Sequence, residues 1–214
     1  MDKSNWLTEE KIKDLYYKQG LSAFEIGQKL SKNYSQIYKF MGRHKMLRRT
    51  AAQTNTIHFY KSPLSFDKKQ RLTSKESKLH HAAIMLYWAE GFKAGKVVDF
   101  VNSDPKMVNI FVKCLRKIYR VTETRFSVQL YCYSNQQPEE LINFWSKLTT
   151  IPKNQFIKPF VRHDFKLEKL GKMPHGVVHI RYSDLRLYQQ IMQDIDKISK
   201  ELGQDGRVVK YTAL

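Results

Sequence analysis

Among the side chains able to do chemistry, Glu90 has the least ordinary setting. The spacing of Leu79, Ala82, Ala83, Leu86 and Ala89 predicts a helix over residues 74–91 with one apolar side, closed by Gly91, so Glu90 falls on its last turn. The C-terminal end of a helix is the negative end of its dipole, and a carboxylate there is electrostatically misplaced. A divalent cation would reverse that sign, because helix-end carbonyls and the carboxylate could serve one ion. A solvated acid at a helix end is the plain alternative. The histidines compose less. His80 and His81 are adjacent, so on a helix they point about 100 degrees apart and do not chelate one metal easily. His163 with Asp164, and His175 with His179, have no nucleophile placed beside them and read as surface or strand residues. Cys114 and Cys132 lack CxxC spacing and a nearby His pair, which predicts two reduced, buried thiols.

The elements that would position such groups follow from the chain's patterning. Thr8 precedes Glu9 and Glu10 as a helix N-cap, and Ile12, Leu15 and Tyr16 form one apolar face ending near Gly20. Ser22 with Glu25 makes a capping box for a second helix, with Phe24, Ile26 and Leu30 as its apolar contacts. After a turn at Ser31, Lys32 and Asn33, a third helix runs to about His44. Ile37, Phe40 and Met41 face inward there, leaving Tyr34, Ser35, Gln36, Tyr38, Lys39 and Arg43 outward. Seven Lys or Arg and no acid lie between Lys29 and Arg49, with Lys45, Arg48 and Arg49 closing the run. A helix, a tight turn and a helix with a polar, basic outer face is the form that enters a major groove.

The whole chain agrees in charge. Of its 214 residues, 38 are Lys or Arg against 20 Asp or Glu, a net charge of +18, for which a polyanion is the simplest partner. An apolar fraction of 42% argues against a disordered tail. No segment approaches the roughly 20 apolar residues of a membrane helix, and the polar start excludes a signal peptide, so a cytoplasmic, nucleoid-associated protein is expected. Residues 51–73 show no sustained periodicity and read as a basic linker between a helix-turn-helix domain at 1–50 and a second domain at 74–214.

In the second domain, Lys96–Val101 reads as a strand, and Ser103 or Asp104 caps a helix from Pro105 to about Tyr119. Arg125–Tyr133 alternates Phe126, Val128, Leu130 and Cys132 with Arg125, Ser127, Gln129, Tyr131 and Tyr133, a half-buried strand. A helix opens at Pro138, strands follow at 156–162 and 177–182, and an amphipathic helix runs from Leu185 to about Leu202. The fold class is α+β: an all-α N-terminal module, then a mixed domain with an antiparallel sheet.

Two resemblances bear on function. The segment GLSAFEIGQKLSKNYSQIYKFM resembles the helix-turn-helix modules of bacterial repressors, resolvases and sigma factors. The segment AIMLYWAEG, Ala83 to Gly91, resembles the LAGLIDADG motif of homing endonucleases, followed as in that family by strand, helix, strands and helix. The second resemblance implies that Glu90 is the catalytic metal ligand, with Mg²⁺ as cofactor. It also implies a homodimer pairing one Glu90 from each subunit across a roughly palindromic duplex. In that reading Arg125, Gln129, Tyr131 and Tyr133 lie along the major groove, and Lys172 and Arg181 stabilise charge on the phosphate. The alternative from the same parts is a transcription regulator that keeps a retired nuclease fold. Neither reading calls for a membrane or a small-molecule substrate.

Overall fold

The computed structural model of the chain describes residues 8–163, 171 and 173–203, divided between two compact units, Met1–Pro63 and Leu64–Leu214.

The first unit is helical. α1 (Glu9–Lys13) starts where Thr8 accepts a hydrogen bond from the Lys11 backbone N–H and continues as one wide turn through Lys18. α2 (Ala23–Lys29) carries the predicted capping box: Ser22 Oγ accepts from Glu25 N at 3.1 Å, and Glu25 Oε2 accepts from Ser22 N at 2.7 Å. α3 (Tyr34–Arg43) opens at Asn33, whose Oδ1 accepts from Ser35 N at 2.9 Å. The α2–α3 turn is tight because Gly27 lets it be. The Lys32 N–H donates to Gly27 O at 2.7 Å, and a Cβ at Gly27 would lie 2.7 Å from the Lys32 carbonyl oxygen. Ile12, Leu15, Tyr16, Ile26, Ile37, Phe40, Met41 and Met46 form the core. Phe24 is exposed rather than a core contact; its place at the start of α2 leaves the inward positions to Ile26 and Leu30.

Residues 51–73 are not one linker. α4 (Ala51–Lys61) belongs to the first unit and begins with a second capping box, Thr50 with Gln53. It buries no residue, which is why no apolar period marked it. Lys61 Nζ donates to Gln19 O at 2.7 Å.

In the second unit, α5 (Ser74–Glu90) is capped by Thr73 and Glu76. β1 (Val98–Asn102) and α6 (Pro105–Lys117) follow, and Asp104 is the α6 cap, accepting from Lys106 N at 2.7 Å. β2 (Phe126–Tyr133), α7 (Pro138–Thr149), β3 (Phe156–Arg162), β4 (Val177–Tyr182) and α8 (Leu185–Glu201) complete it. The strand order is β1-β4-β2-β3. β4 pairs antiparallel with β1 and β2, but β2 and β3 are parallel, which corrects the expectation of an antiparallel sheet. The cause is α7: a strand that returns through a helix re-enters the sheet in the same direction, as in a β-α-β crossover. Arg125 also departs from expectation. It ends a short helical turn before β2 instead of standing on the strand face.

One sheet face is the core, built from Val98, Phe100, Val128, Leu130, Val178 and Ile180 under the helices. α5 buries His80, Ala83, Ile84 and Tyr87, a stripe at i, i+3, i+4 and i+7, while Ala82 and Ala89 face solvent. The predicted stripe was thus rotated. The Tyr87 ring stacks on Phe111 at 5.5 Å, and burying such a ring removes far more apolar surface than two alanine methyls. Gly91 is required by the same ring: a Cβ there would come within 2.5 Å of both the Tyr87 carbonyl oxygen and its ring. Both cysteines are buried and free.

Candidate nucleic-acid interface

The outer face of α3 is built by its own periodicity. With Ile37, Phe40 and Met41 turned into the core, Tyr34, Gln36, Tyr38, Lys39 and Arg43 are exposed and Ser35 is half-buried at the first turn. Tyr34 and Tyr38 meet edge-on at 6.5 Å, and the Arg48 guanidinium lies 4.8 Å over the Tyr38 ring. A guanidinium on an aromatic face keeps its in-plane donors pointing outward. Lys45, at positive φ, and Arg48 are exposed beside it. Arg49 is different. It packs 4.1 Å over the Tyr16 ring, donates from Nη2 to Leu21 O at 2.5 Å, and its backbone N–H donates to the Tyr16 hydroxyl at 2.9 Å. Its charge braces the bundle and is not part of the outer face. From Ile26 to Phe66 there is no Asp or Glu.

On the open face of the sheet, the polar side chains pair with one another. Arg181 Nε donates to Asp99 Oδ2 at 2.9 Å and its Nη1 to Gln129 Oε1 at 2.9 Å, while His179 Nδ1 lies 3.2 Å from Asp99 Oδ1. Burial acts to raise the Asp99 carboxyl, but the hydrogen bonds from His179 and Arg181 and their charges win and hold it below the usual carboxylate value. Tyr131 stands on the same face against His179, with ring centroids 4.6 Å apart. Tyr133, expected on this face, is buried. Arg125 is exposed, with Nη1 3.3 Å from Asp184.

Glu90 is exposed at the end of α5. Among the described residues no group of three or more His, Cys, Asp or Glu is arranged to hold a metal. Among the described residues of one chain, no second carboxylate joins Glu90 to make an Mg²⁺ site. Glu90 brings a single carboxylate, Arg181 is held by Asp99, and Lys172, like Asp164, lies outside the described residues. The histidine pair is accounted for structurally: His80 is buried, and His81 Nδ1 is 2.8 Å from Ser77 O.

One polar cluster carried no signal in the sequence. Asp194 of α8 is only 4% exposed and binds four side chains. Tyr119 donates its hydroxyl at 2.5 Å, His80 Nε2 lies at 3.3 Å, Gln190 Nε2 at 3.2 Å, and Lys68 closes an ion pair. Burial would raise the Asp194 carboxyl, but the bonds from His80, Lys68 and Tyr119 hold it below its ordinary value. The cluster ties residues 64–73 to α5, to the segment just after α6 and to α8, so its role is to hold the unit together.

Comparison with models of known protein families, with characterised proteins and with solved structures gives no match to this chain. Among the described residues, no helix is long and apolar enough to cross a membrane.

Proposed function

We propose that the protein binds double-stranded DNA in a sequence-dependent manner, with α3 as the reading helix. The observation that carries this reading is the outer face of α3: exposed Gln36, Lys39 and Arg43, with Arg48 laid on Tyr38, inside a 41-residue stretch without an acid. Gln36 and Tyr34 lie on the first turn, where side chains of a helix docked in a major groove meet base edges. Lys39, Arg43, Lys45 and Arg48 supply phosphate contacts, whose strength falls with salt as counterions return. Selection of bound duplexes from a random pool tests it. Enrichment of a common site supports the reading, and recovery of unenriched sequence at every salt concentration overturns it.

A second reading, a LAGLIDADG-type endonuclease acting as a homodimer, is favoured by the outward face of α5. Ala82 and Ala89 are exposed, and small residues there permit helix crossing between two copies, with the larger Met85 standing between them; such a crossing would bring two Glu90 carboxylates together. Adding Mg²⁺ to the selected duplexes decides it. Cutting by the wild type but not by Glu90→Gln supports a nuclease. Specific but intact duplexes support a regulator that uses the same parts for recognition alone.

A further inference from the structure

Helix-end carbonyls and the Glu90 carboxylate could together serve a divalent ion at the end of α5. Those carbonyls have another partner. Lys93 Nζ donates to Trp88 O at 2.9 Å and to Gly91 O at 2.8 Å, and the side chain is half-buried as it folds back onto the helix. The loop that carries it is pinned on several sides. The Phe92 N–H donates to Asp99 O at 2.9 Å, and Phe92 O accepts from the Tyr87 hydroxyl at 2.9 Å. Gly91 bridges to Phe100 of β1, and the Lys93 carbonyl accepts from the Tyr188 hydroxyl of α8. Moving the Lys93 backbone away from the helix end therefore breaks contacts with both β1 and α8.

We propose that Lys93 is the resident cation of the α5 C-terminus: its ammonium holds the position that a divalent ion would take, and the chain binds no divalent ion at Glu90. The negative end of a helix dipole draws one positive charge, and Lys93 brings it covalently, whatever the metal concentration. Trp88 O and Gly91 O are already spent on N–H donors, and a metal that reached them would stand beside a charge of its own sign. What remains is the exposed Glu90 carboxylate. One carboxylate is a poor match for Mg²⁺, which gives up its waters reluctantly and demands near-octahedral oxygens at about 2.0–2.1 Å. A second copy does not change the balance, because a symmetric pair that joins two Glu90 side chains brings two Lys93 ammonium groups to the same helix ends. The inference does not depend on the duplex reading. Set against the second reading, it takes the metal away and leaves recognition.

Titration of the full chain with Mn²⁺, followed by the electron paramagnetic resonance signal of the free ion, tests this. The wild type should show no site tighter than about 1 mM that depends on Glu90, so Glu90→Gln should leave the titration unchanged. Lys93→Met keeps the apolar stem of the side chain and removes the charge. It should gain one Mn²⁺ site per chain, about tenfold tighter than any in the wild type, the effect of uncovering a helix C-terminus beside a carboxylate. Lys93→Met/Glu90→Gln should lose that site again. The transition of the buried Trp145 reports whether each variant is folded. Glu90 is exposed, so Glu90→Gln keeps the fold, and its comparison with the wild type decides the matter even if Lys93→Met unfolds. A wild-type Mn²⁺ site that Glu90→Gln abolishes would overturn the proposal. So would a folded Lys93→Met chain with no gain in Mn²⁺ affinity. These titrations contain no DNA, so a failure of the duplex reading leaves their outcome untouched.

Discussion

The outer face of α3 and the open face of the sheet both carry cations and rings, and they use them in opposite ways. On α3 no acid among the described residues pairs with Lys39 or Arg43, although Glu9 reaches His44 at the end of the helix, and Arg48 rests on the Tyr38 ring. On the sheet, Arg181 is fixed by Asp99 and Gln129, Tyr131 is packed between His179 and Phe160, and only the Phe160 ring at the edge strand is exposed. A net charge of +18 therefore does not distribute evenly as binding capacity. What matters is which cations lack an anionic neighbour, and pairing across strands of 80-residue separation decides that only after folding.

The comparison is broken most severely by removing an acid from the unit where acids hold cations. Asp194→Ala leaves Lys68 without its counter-ion and Tyr119 without its acceptor inside the second unit, and should cost about 3 kcal/mol at neutral pH. Trp145, fully buried in that unit, reports the transition by fluorescence. Acid should reproduce part of the loss. The Asp194 carboxyl titrates below its ordinary value when folded, so its stabilisation is complete above about pH 3.9 and disappears as the pH falls through the lower folded value. The variant should show a flatter stability curve in that acid window. An unfolding midpoint equal to wild type at pH 7 would mean that the cluster does not brace the unit.

Lys39→Ala and Arg43→Ala sharpen the comparison from the other side. Neither cation is paired among the described residues, so stability should not change. Duplex affinity should fall about tenfold for each at low salt, and the salt slope by about 1 for each. Arg49→Ala should do the reverse. Losing the contact with Tyr16 and the bond to Leu21 should cost about 1–2 kcal/mol of first-unit stability while the slope stays nearly as it was. If Arg49→Ala alters the slope as much as Arg43→Ala, the division between bracing and binding arginines is wrong.

Legibility in the sequence followed the same line. Caps and local periods were readable: Thr8, Ser22 with Glu25, Asn33 and Pro105 mark helix starts within a few residues of their partners. The inward triad of α3 and the alternation of β2 were equally local. What needed the fold was anything decided by partners far along the chain. Arg49 and Arg43 look alike as residues in a basic run, and only Tyr16, 33 positions away, draws Arg49 inward. Asp194 meets Tyr119 across 75 positions and His80 across 114, so nothing local marked that cluster. The parallel β2–β3 pair was implicit in α7, a helix between two strands. The apolar side of α5 follows Tyr87, whose ring outweighs the methyls of Ala82 and Ala89, and a pattern that counts each apolar residue equally does not show this.

α4 is the smallest of these cases and gives the finest test. It buries no side chain, so its order within the first unit rests on caps and a few polar contacts, chiefly Thr50 with Gln53 and Lys61 with the carbonyl of Gln19. Thr50→Ala removes the cap acceptor and should lower first-unit stability by about 1 kcal/mol, seen as a small loss of helical circular dichroism and faster amide exchange over residues 51–61. The second unit's Trp145 transition should not move. An exchange pattern unchanged by Thr50→Ala would mean that contacts at the far end of α4, through Lys61 and the side of Ile57 against Gly20, hold the helix without its cap.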